Sequence, residues 1–367
     1  MDPYVFSRRQ LLKQLGASAA LASAPLSAHT LAARPQRKLG VALVGLGFYS
    51  TDWLAPALQL TKHCELRGIV TGSPEKIPAW QEKYGIKDNN VYNYDNMHEV
   101  ADNPEIDVIY VVTPTSTHRE FSLIAANAGK HVWCEKPMAM DAQECQDIID
   151  ACRKNNVKLT IGYRLHHEPN TQAIMTLADT KPFGAIESLS IKAAYPGTFD
   201  KNSDHWKMRW DMGGGAMYDM GVYCLNAARY ATGEEPIAVE ARHEVTHPDI
   251  FTAGDSTTHF TLAFPSGASA QCMTSMVKPG NKLEVNCANG WYRLEPMSEM
   301  DEVRGETSAG HQLNREIPSQ QAAQMDNDAL AIINDTPVIV PGEEGLRDIR
   351  VVRGAFESVR KGERVQL

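Results

Sequence analysis

A lysine in the run HVWCEKPMAM has the surroundings expected of a catalytic residue. Lys136 lies between Glu135 and Pro137, downstream of a glycine turn, an apolar run at 108–112 and a TPTSTH turn. A lysine at the carboxyl edge of a dinucleotide-binding sheet can reach both the nicotinamide end of a cofactor and a substrate hydroxyl. The order of these motifs predicts a sugar or polyol dehydrogenase. The tripeptide alone would better fit a surface lysine before a turn proline, and the surrounding motifs reverse that preference.

Two further residues could carry a proton beside this lysine. Asp219 and Tyr223 are four residues apart on a helix predicted over 216–230, so they share one helix face. An alcohol that loses a hydride must also lose a proton, which a positioned base accepts. A free tyrosine keeps its proton at neutral pH, so a cation such as Lys136 must stabilise the phenolate. The alternative is a core aromatic at 223 and a local capping role for Asp219.

Three other side chains are weaker candidates for binding a substrate. They are Arg164, Trp206 and Arg209. Trp206 could stack on the face of a sugar, although a core position is equally compatible with its sequence context.

The glycine turn predicts the pyrophosphate site of a dinucleotide. Two glycines after the apolar strand VALV allow a tight turn and close approach of the backbone to phosphate, which the next helix N-terminus stabilises. Ser50 stands where the third glycine of GxGxxG would be. The predicted contacts at this turn are Gly45, Leu46, Gly47, Phe48 and Tyr49.

The end of the second predicted strand favours NADP as the cofactor. An NAD-preferring site usually has an acidic side chain here for the ribose 2′-hydroxyl. This chain has Thr71 at that position, with Ser73 and Lys76 nearby. Two hydroxyls and an ammonium suit a 2′-phosphate. A solvated loop lysine is the alternative for Lys76.

Apolar periodicity predicts an α/β chain with two domains. Continuous apolar runs predict buried parallel strands at 39–44, 65–70, 108–112, 131–133 and 158–163. A helix should begin after Asp141, with Glu144 completing a capping box and Cys145, Ile148, Ile149 and Cys152 buried. This alternation predicts a doubly wound Rossmann domain over 34–162.

The chain after Tyr163 predicts an α+β domain over 163–367 with a large, mainly antiparallel open sheet. Strand-like segments lie at 186–195, 237–245, 257–264, 268–275, 282–286 and 291–295. Helices are predicted at 169–178, 216–230, 320–333 and 345–360.

The first 33 residues predict a twin-arginine export signal. Arg8-Arg9 precede Leu11-Leu12-Lys13 and an Ala-rich stretch, which is too short to span a membrane stably. An amphipathic basic helix is the alternative. We therefore expect the twin-arginine translocation machinery as a transient partner, a periplasmic location and no stable membrane anchor.

Composition excludes other classes of function. The net charge is −9 and the Lys and Arg residues are dispersed, which argues against nucleic acid as a partner. Seven cysteines without CxxC spacing or a histidine cluster argue against a zinc site and predict buried free thiols. Cys134 has no assigned base, so a nucleophilic role is disfavoured.

These motifs resemble those of the Gfo/Idh/MocA oxidoreductases, and most closely the glucose–fructose oxidoreductase branch. The resemblance runs from Lys38 to the C-terminus through VGLGFYS, TGSPEK, AGKHVWCEKPM, LTIGYRLHHEPN, GGGAMYDMGVYCLNAARY and PGEEGLRDIR. It implies that the EKP lysine and Tyr223 act at the reacting hydroxyl, and that NADP is retained between half-reactions. It also implies a dimer or tetramer formed through the open sheet. The further cofactor contacts it implies are Thr113, Pro114, Thr115, His118, Glu135 and Lys136.

The chain departs from the family pattern at two places. The usual TPNxxH turn is TPTSTH, so Thr115 replaces the asparagine that contacts the cofactor. The segment FDKNSDHWKMRWDM differs enough that the identity of the sugar does not carry over.

The expected reaction is a ping-pong exchange between two sugars. One aldose would be oxidised at C1 to the lactone and a second sugar reduced to an alditol, with NADP retained. The alternatives are a conventional NAD(P)-dependent sugar dehydrogenase, an NAD-dependent glycosidase and a non-catalytic sugar-binding protein. Tyr223 argues against the glycosidase, whose family relatives usually have a histidine there, and the intact Lys136, Asp219 and Tyr223 argue against the binding protein.

Overall fold

The computed structural model describes residues 37–197, 199, 205–251 and 254–367. The predicted export signal and residues 200–204 of the divergent segment lie outside the described residues. Lys38–Leu367 form one compact unit.

The first half of this unit is a six-stranded parallel sheet in the order β3-β2-β1-β4-β5-β6. This is the order of a doubly wound dinucleotide-binding fold, whose crevice opens where the carboxyl ends of β1 and β4 adjoin. The strands are β1 Leu39–Val44, β2 Cys64–Val70, β3 Val91–Tyr92, β4 Val108–Val111, β5 His131–Cys134 and β6 Leu159–Ile161.

Four α-helices lie along this half of the chain. They are α1 Ala55–Leu58, α2 Ile77–Tyr84, α3 His118–Asn127 and α4 Ala142–Lys154; a π-helical turn at Ser50–Leu54 leads into α1. The predicted start of α4 is confirmed, because the Asp141 carboxylate accepts hydrogen bonds from the backbone of Gln143 and Glu144. The α4 side chains predicted to be buried are buried.

The second half is a nine-stranded mixed sheet in the order β14-β13-β12-β11-β7-β10-β9-β8-β15. Strands β7 and β10 are parallel and the other pairs are antiparallel, so the predicted mainly antiparallel sheet is confirmed. The strands are β7 Ile186–Ala194, β8 Ala238–Glu244, β9 Thr257–Ala263, β10 Ser269–Ser275, β11 Gly280–Cys287, β12 Gly290–Leu294, β13 Gly305–Thr307, β14 Gln312–Leu313 and β15 Val365–Gln366.

Helices from the second half pack back onto the first. The helices are α5 Pro169–Thr180, α6 Val222–Thr232, α7 Gln320–Ile333 and α8 Gly342–Lys361, with a π-helical turn at Met217–Gly221 leading into α6. In α7, Met325 and Ala329 share a core cluster with Val108, Tyr110 and Trp133 of the parallel sheet. The cover of the Rossmann sheet is therefore completed by residues near the C-terminus.

Short 3₁₀ helices connect many of these elements. They lie at Pro74–Lys76, Asp88–Asn90, Met97–Asp102, Thr115–Thr117, Arg164–His167, Trp206–Met208 and Trp210–Met212.

All seven cysteines are free thiols, and six of them are buried. Within the described ranges, no group of three or more His, Cys, Asp or Glu side chains could hold a metal ion. No helix in the described part of the chain has the length and apolar character needed to cross a bilayer.

Candidate active site

Lys136 lies just beyond the carboxyl end of β5 and points at the turn that precedes α6. Its Nζ donates a hydrogen bond to the backbone oxygen of Asp219 at 2.9 Å. The same Nζ lies 3.7 Å from Asp219 Oδ1 and 4.7 Å from the centroid of the Tyr223 ring. The structure thus brings together the three residues predicted to be catalytic.

Lys136 is held in its charged form. Burial lowers the pKa of the lysine, but Tyr223, Asp219 and Glu135 together raise it above its ordinary value. An ammonium that keeps its proton can donate hydrogen bonds and stabilise negative charge on a substrate oxygen. It is not suited to act as the base itself.

Asp219 is a buried, ionised acceptor. Its Oδ2 accepts hydrogen bonds from Lys207 Nζ at 3.0 Å and from the Tyr195 hydroxyl at 2.9 Å. Burial raises the pKa of this carboxyl, but the charges of Lys207 and Lys136 and these hydrogen bonds bring it down to about 2. Neither Lys207 nor Tyr195 was predicted from the sequence, because each is separate in sequence from the motifs that identified Asp219.

Tyr223 lies at the start of α6 and is 8% exposed. The Arg164 guanidinium carbon lies 5.7 Å from the centroid of its ring, so the ring is flanked by Arg164 and by Lys136. Asp219 lies in the π-helical turn, which α6 continues. The turn that contains Asp219 is therefore π-helical and not α-helical as predicted, but the side chains of Asp219 and Tyr223 still adjoin Lys136. Such π-helical turns are frequent at functional sites.

The glycine run before this helix lets other segments approach it closely. A Cβ on Gly214 would lie 2.4 Å from the backbone oxygen of Lys207, and one on Gly215 would lie 2.5 Å from Asp255 Oδ1. Asp255, which was not predicted, caps the helix: its Oδ2 accepts a hydrogen bond from the backbone of Met217 at 2.9 Å. Glycine is needed at these two positions to bring Lys207 and Asp255 to the site.

The glycine turn after β1 has the open backbone that a pyrophosphate requires. Gly45 has φ 92°, and a Cβ placed on Gly47 would meet nothing within 4 Å. Ser50 Oγ donates a hydrogen bond to the Gly45 oxygen at 2.6 Å, so the serine closes the turn where a third glycine is usual. Leu46 is buried, and Phe48 is 70% exposed beside the turn. These features fit a bound dinucleotide.

Tyr49 extends from the glycine turn toward the catalytic residues. Burial, and then the charge of Glu135, raises the pKa of its hydroxyl well above the ordinary value, while Arg164 lowers it. Tyr49 therefore keeps its proton.

The predicted 2′-phosphate residues lie around the end of β2. Thr71 is buried and its Oγ1 accepts a hydrogen bond from the Ser73 backbone at 3.0 Å, so this hydroxyl shapes the loop. Lys76 Nζ donates to the Leu46 oxygen at 2.9 Å, which places its positive charge against the glycine turn. Ser73 is half-buried beside them.

The TPTSTH turn is joined to the EKP loop by a buried histidine. His118 Nε2 lies 2.8 Å from the Thr113 oxygen and its Nδ1 lies 3.0 Å from the Pro137 oxygen. Burial lowers the pKa of His118, so the ring is neutral and donates to one of these carbonyls. The Pro114 oxygen accepts a hydrogen bond from the Thr117 backbone at 2.9 Å, and Thr115 is buried.

Glu135 is the second buried carboxyl beside Lys136. Its Oε1 accepts a hydrogen bond from the Tyr110 hydroxyl at 2.6 Å, and that hydroxyl accepts one from Gln324 of α7 at 3.1 Å. Burial raises the pKa of Glu135. A Cβ on Gly162 would lie 2.4 Å from Glu135 Oε1, so glycine at 162 leaves room for this carboxyl.

The three weaker substrate candidates have different surroundings. Arg164 is 2% exposed and donates to the backbone oxygens of Ser298 and Glu299 at 2.6 and 3.0 Å. Trp206 is half-buried, with the His205 ring stacked on it at 6.1 Å. Arg209 is exposed and pairs with Asp211 at 2.8 Å. Arg164 thus supports Tyr223 from inside the protein, and Trp206 is next to the active-site Lys207.

Comparison with known proteins agrees with this fold. Residues 39–163 match the family described as "Oxidoreductase family, NAD-binding Rossmann fold", and residues 171–293 match the GFO/IDH/MocA C-terminal domain.

Two relatives extend over nearly the whole chain, and a third matches part of it. The crystal structure of aldose-aldose oxidoreductase from Caulobacter crescentus, complexed with glycerol, is 35% identical with a TM-score of 0.86, covering 90% of this chain and 100% of that one. D-xylose 1-dehydrogenase [NADP(+)] of Haloarcula marismortui is 26% identical over 338 residues, 89% of this chain and 92% of the relative. Myo-inositol 2-dehydrogenase of Thermotoga maritima is 28% identical over 230 residues, 62% of this chain and 66% of the relative.

The matches in both halves, the parallel sheet with its glycine turn, and the lysine beside Asp219 and Tyr223 lead to one conclusion. The chain belongs to the Gfo/Idh/MocA family of oxidoreductases.

Proposed function

We propose that the protein is an NADP-dependent sugar oxidoreductase that oxidises an aldose at C1 to the lactone and reduces a second sugar to an alditol. The observation that carries this proposal is the convergence of Lys136, Asp219 and Tyr223 beyond the glycine turn. The Caulobacter crescentus relative, an aldose-aldose oxidoreductase, supports a reaction between two sugars.

The side chains suit proton transfer at a sugar hydroxyl. The nicotinamide, when bound, supplies the redox chemistry. The Tyr223 phenolate oxygen, stabilised by the adjacent Lys136 ammonium, takes the proton from the C1 hydroxyl, and the same ammonium stabilises the oxygen that loses it. Asp219 accepts a hydrogen bond from the sugar and fixes its orientation. In the second half-reaction Tyr223 returns a proton to the new hydroxyl, because a group that acts as a base in one direction acts as an acid in the other.

The cofactor assignment to NADP rests on the loop after β2. Thr71 replaces the usual acidic residue, and the Lys76 ammonium lies against the glycine turn. The Haloarcula marismortui relative, whose name specifies NADP(+), supports the same choice. In this proposal Lys76 and Ser73 bind the 2′-phosphate while the buried Thr71 hydroxyl supports their loop.

We also propose that the protein is exported by the twin-arginine pathway to the periplasm. The support is the pair Arg8-Arg9 with the apolar stretch behind it. Because this pathway carries folded proteins, the cofactor can be bound before export. Free nucleotide is scarce outside the cytoplasm. An exported enzyme can still turn over if it retains one NADP that is reduced and reoxidised in place.

A homo-oligomer is part of the same proposal. The outward side chains of β8–β10 are polar and charged, and they include Glu240, Arg242, His259 and Gln271 on one face of the nine-stranded sheet. We propose that this face forms the contact between subunits of a dimer or tetramer. Sedimentation velocity gives the mass of the wild-type particle and of the Arg242→Glu particle, and we expect the variant to be smaller. An unchanged mass in the variant would contradict the assignment of this face as the subunit contact.

The reaction is tested without added nucleotide. Dialysed protein is incubated with glucose alone and with glucose plus fructose, and aldonic acid and alditol are quantified. We expect turnover in both cases, with the two products in equal amounts. Nucleotide released by denaturing the same preparation should be NADP.

A conventional sugar dehydrogenase is the second candidate, and the relation to D-xylose 1-dehydrogenase favours it. That enzyme would turn over only when nucleotide is added, with one oxidised sugar per reduced nucleotide. Turnover confined to that condition would reject the exchange between two sugars and leave the sugar dehydrogenase.

A further inference from the structure

The carboxylate of Asp219 is bound unequally at its two oxygens. Oδ2 accepts from Lys207 Nζ and from the Tyr195 hydroxyl, at 3.0 and 2.9 Å. Oδ1 lies 3.7 Å from Lys136 Nζ, beyond hydrogen-bonding distance. Two donors use the lone pairs of Oδ2, whereas none of the described residues donates a hydrogen bond to Oδ1, which faces Lys136.

Lys207 is itself fixed by the glycine run. Its backbone oxygen accepts a hydrogen bond from the Gly215 backbone at 2.8 Å, and the close approach of Gly214 leaves no room for a side chain there. Its backbone NH is capped by His205 Nδ1 at 3.3 Å. The lysine is therefore held at its backbone by the segment that leads into the catalytic helix, and at its ammonium by Asp219.

Tyr195 approaches the same carboxylate from a different element. It follows the last residue of β7, and its ring lies 5.6 Å from Lys207 Nζ. A strand end and a short helix thus converge on one oxygen of Asp219. Because a buried carboxylate needs compensating charge or hydrogen bonds, removing these two donors would leave Lys136 as its remaining cationic neighbour among the described residues. The carboxylate would then turn toward Lys136 and neutralise it.

We propose that Lys207 and Tyr195 are positioning residues: they hold Asp219 with Oδ2 saturated and Oδ1 directed to the sugar, so that Lys136 stays available to the reacting oxygen. This inference rests on the proposed function for its substrate. It assigns to the chain a second active-site lysine that acts through Asp219 and not on the substrate directly.

Within the part of the chain that the structure describes, the charged and titratable groups around Asp219 come from four segments. They are Lys136 after β5, Tyr195 after β7, Lys207 and His205 in the segment before the glycine run, and Tyr223 in α6. Burial raises the pKa of Asp219 and the two lysines lower it, Lys207 more than Lys136. Loss of Lys207 should therefore make Asp219 take up a proton at higher pH.

The first measurement is the pH profile of kcat/KM for wild type, Lys207→Met and Lys207→Arg. An opposite charge at this distance shifts a carboxyl pKa by about 1–3 units, so the acidic limb of the Met variant should move up by about 1 pH unit or more. Lys207→Arg keeps the positive charge beside Asp219, so its pH profile of kcat/KM should match that of the wild type. Lys282→Met is the control, since Lys282 pairs with Glu284 at 2.8 Å on β11.

The second measurement needs no turnover. Carboxyl-¹³C-labelled aspartate in the cofactor-loaded protein is titrated by NMR, and Asp219→Asn identifies the Asp219 resonance. The resonance should titrate at a higher pH in Lys207→Met than in the wild type. In Lys282→Met it should titrate at the wild-type pH. If Lys207→Met does not fold, Tyr195→Phe removes the other donor and carries the same test.

An Asp219 resonance and an acidic limb that both stay at their wild-type positions in the Met variant would overturn the proposal. If no sugar is turned over by the wild type, the proposed function fails, while the NMR titration still decides whether Lys207 and Tyr195 control Asp219.

Discussion

The two sides of the active site are built in different ways. The cofactor side consists of short continuous motifs at neighbouring strand ends: the glycine turn after β1, the TGSPEK loop after β2, the TPTSTH turn after β4 and the EKP loop after β5. The substrate side is assembled over long separations, as in the bond from Lys136 to a residue 83 positions later. A parallel sheet places its carboxyl ends at one edge by its topology alone, whereas the substrate side depends on how the second half packs.

The pKa values of the two carboxyls beside Lys136 also differ between the two sides. Glu135 belongs to the cofactor side, and burial raises its pKa despite the hydrogen bond from Tyr110. Asp219 belongs to the substrate side and has a pKa of about 2, because two lysines outweigh its burial. Its cationic partners, and not its depth of burial, therefore set the direction of the pKa shift of Asp219, whereas burial sets that of Glu135.

Removal of the lysine shared by both sides should have the largest effect. Lys136→Ala is expected to reduce turnover by about 10²–10⁴, the range for loss of acid–base assistance, with a smaller loss of cofactor retention. Single-turnover rates and bound nucleotide per subunit measure the two effects. Near-wild-type turnover would remove Lys136 from the chemistry, and equal losses of both would place it on the cofactor side only.

A loss of rate toward the lower end of that range is expected when Tyr223, the proposed proton carrier, loses its hydroxyl. Tyr223→Phe keeps the ring beside Lys136 and Arg164 but removes the hydroxyl, so turnover should fall by about 10² or more while the melting temperature barely changes. Thermal unfolding beside steady-state kinetics checks this. A variant that melts far below wild type would show that Tyr223 is mainly a core aromatic.

On the cofactor side, Lys76→Ala should weaken the binding of NADP by about tenfold or more, because one charge-assisted hydrogen bond to the 2′-phosphate is lost. The binding of NAD should weaken much less. Gly47→Ala is the matched control. Its new Cβ meets no protein atom within 4 Å but would obstruct the pyrophosphate. The binding of NADP and of NAD should therefore weaken to the same extent. Dissociation constants for both nucleotides measure this, and equal affinity of the wild type for both would contradict NADP preference.

The smallest effect on activity is expected at Asp328, in the helix α7 that supports the cofactor side. Burial raises the pKa of this carboxyl to about 8, against about 3.9 in the unfolded chain. The folded state then holds a proton that the unfolded state releases, so this contribution to stability is lost as pH rises from about 4 to about 8.

Asp328→Asn lacks this titration. The melting temperature of wild type relative to Asp328→Asn should decline across that pH range, with turnover unchanged near neutrality. Asp335→Asn, at an exposed carboxyl in the loop after α7, should give no such decline. Parallel curves for wild type and Asp328→Asn would mean that Asp328 is ionised in the fold.

The parallel sheet, the glycine turn and the proximity of Lys136, Asp219 and Tyr223 could be predicted from the amino-acid sequence. Each was readable because a local rule applies: continuous apolar runs for buried strands, glycine for a phosphate turn, and near-helical spacing for a shared face. The family resemblance in these same segments is confirmed for both halves of the chain.

The residues that surround them could not be predicted, because they come from distant segments that meet only in the folded chain. Lys207 and Asp255 approach the turn that contains Asp219 because glycines at 214 and 215 permit close packing, and Tyr195 reaches Asp219 from the end of β7. Tyr110 and Gln324 meet because α7 packs back across the parallel sheet. Neither helical nor strand periodicity carries information about such long-range contacts, since they follow from how the two sheets and their helices fill one core.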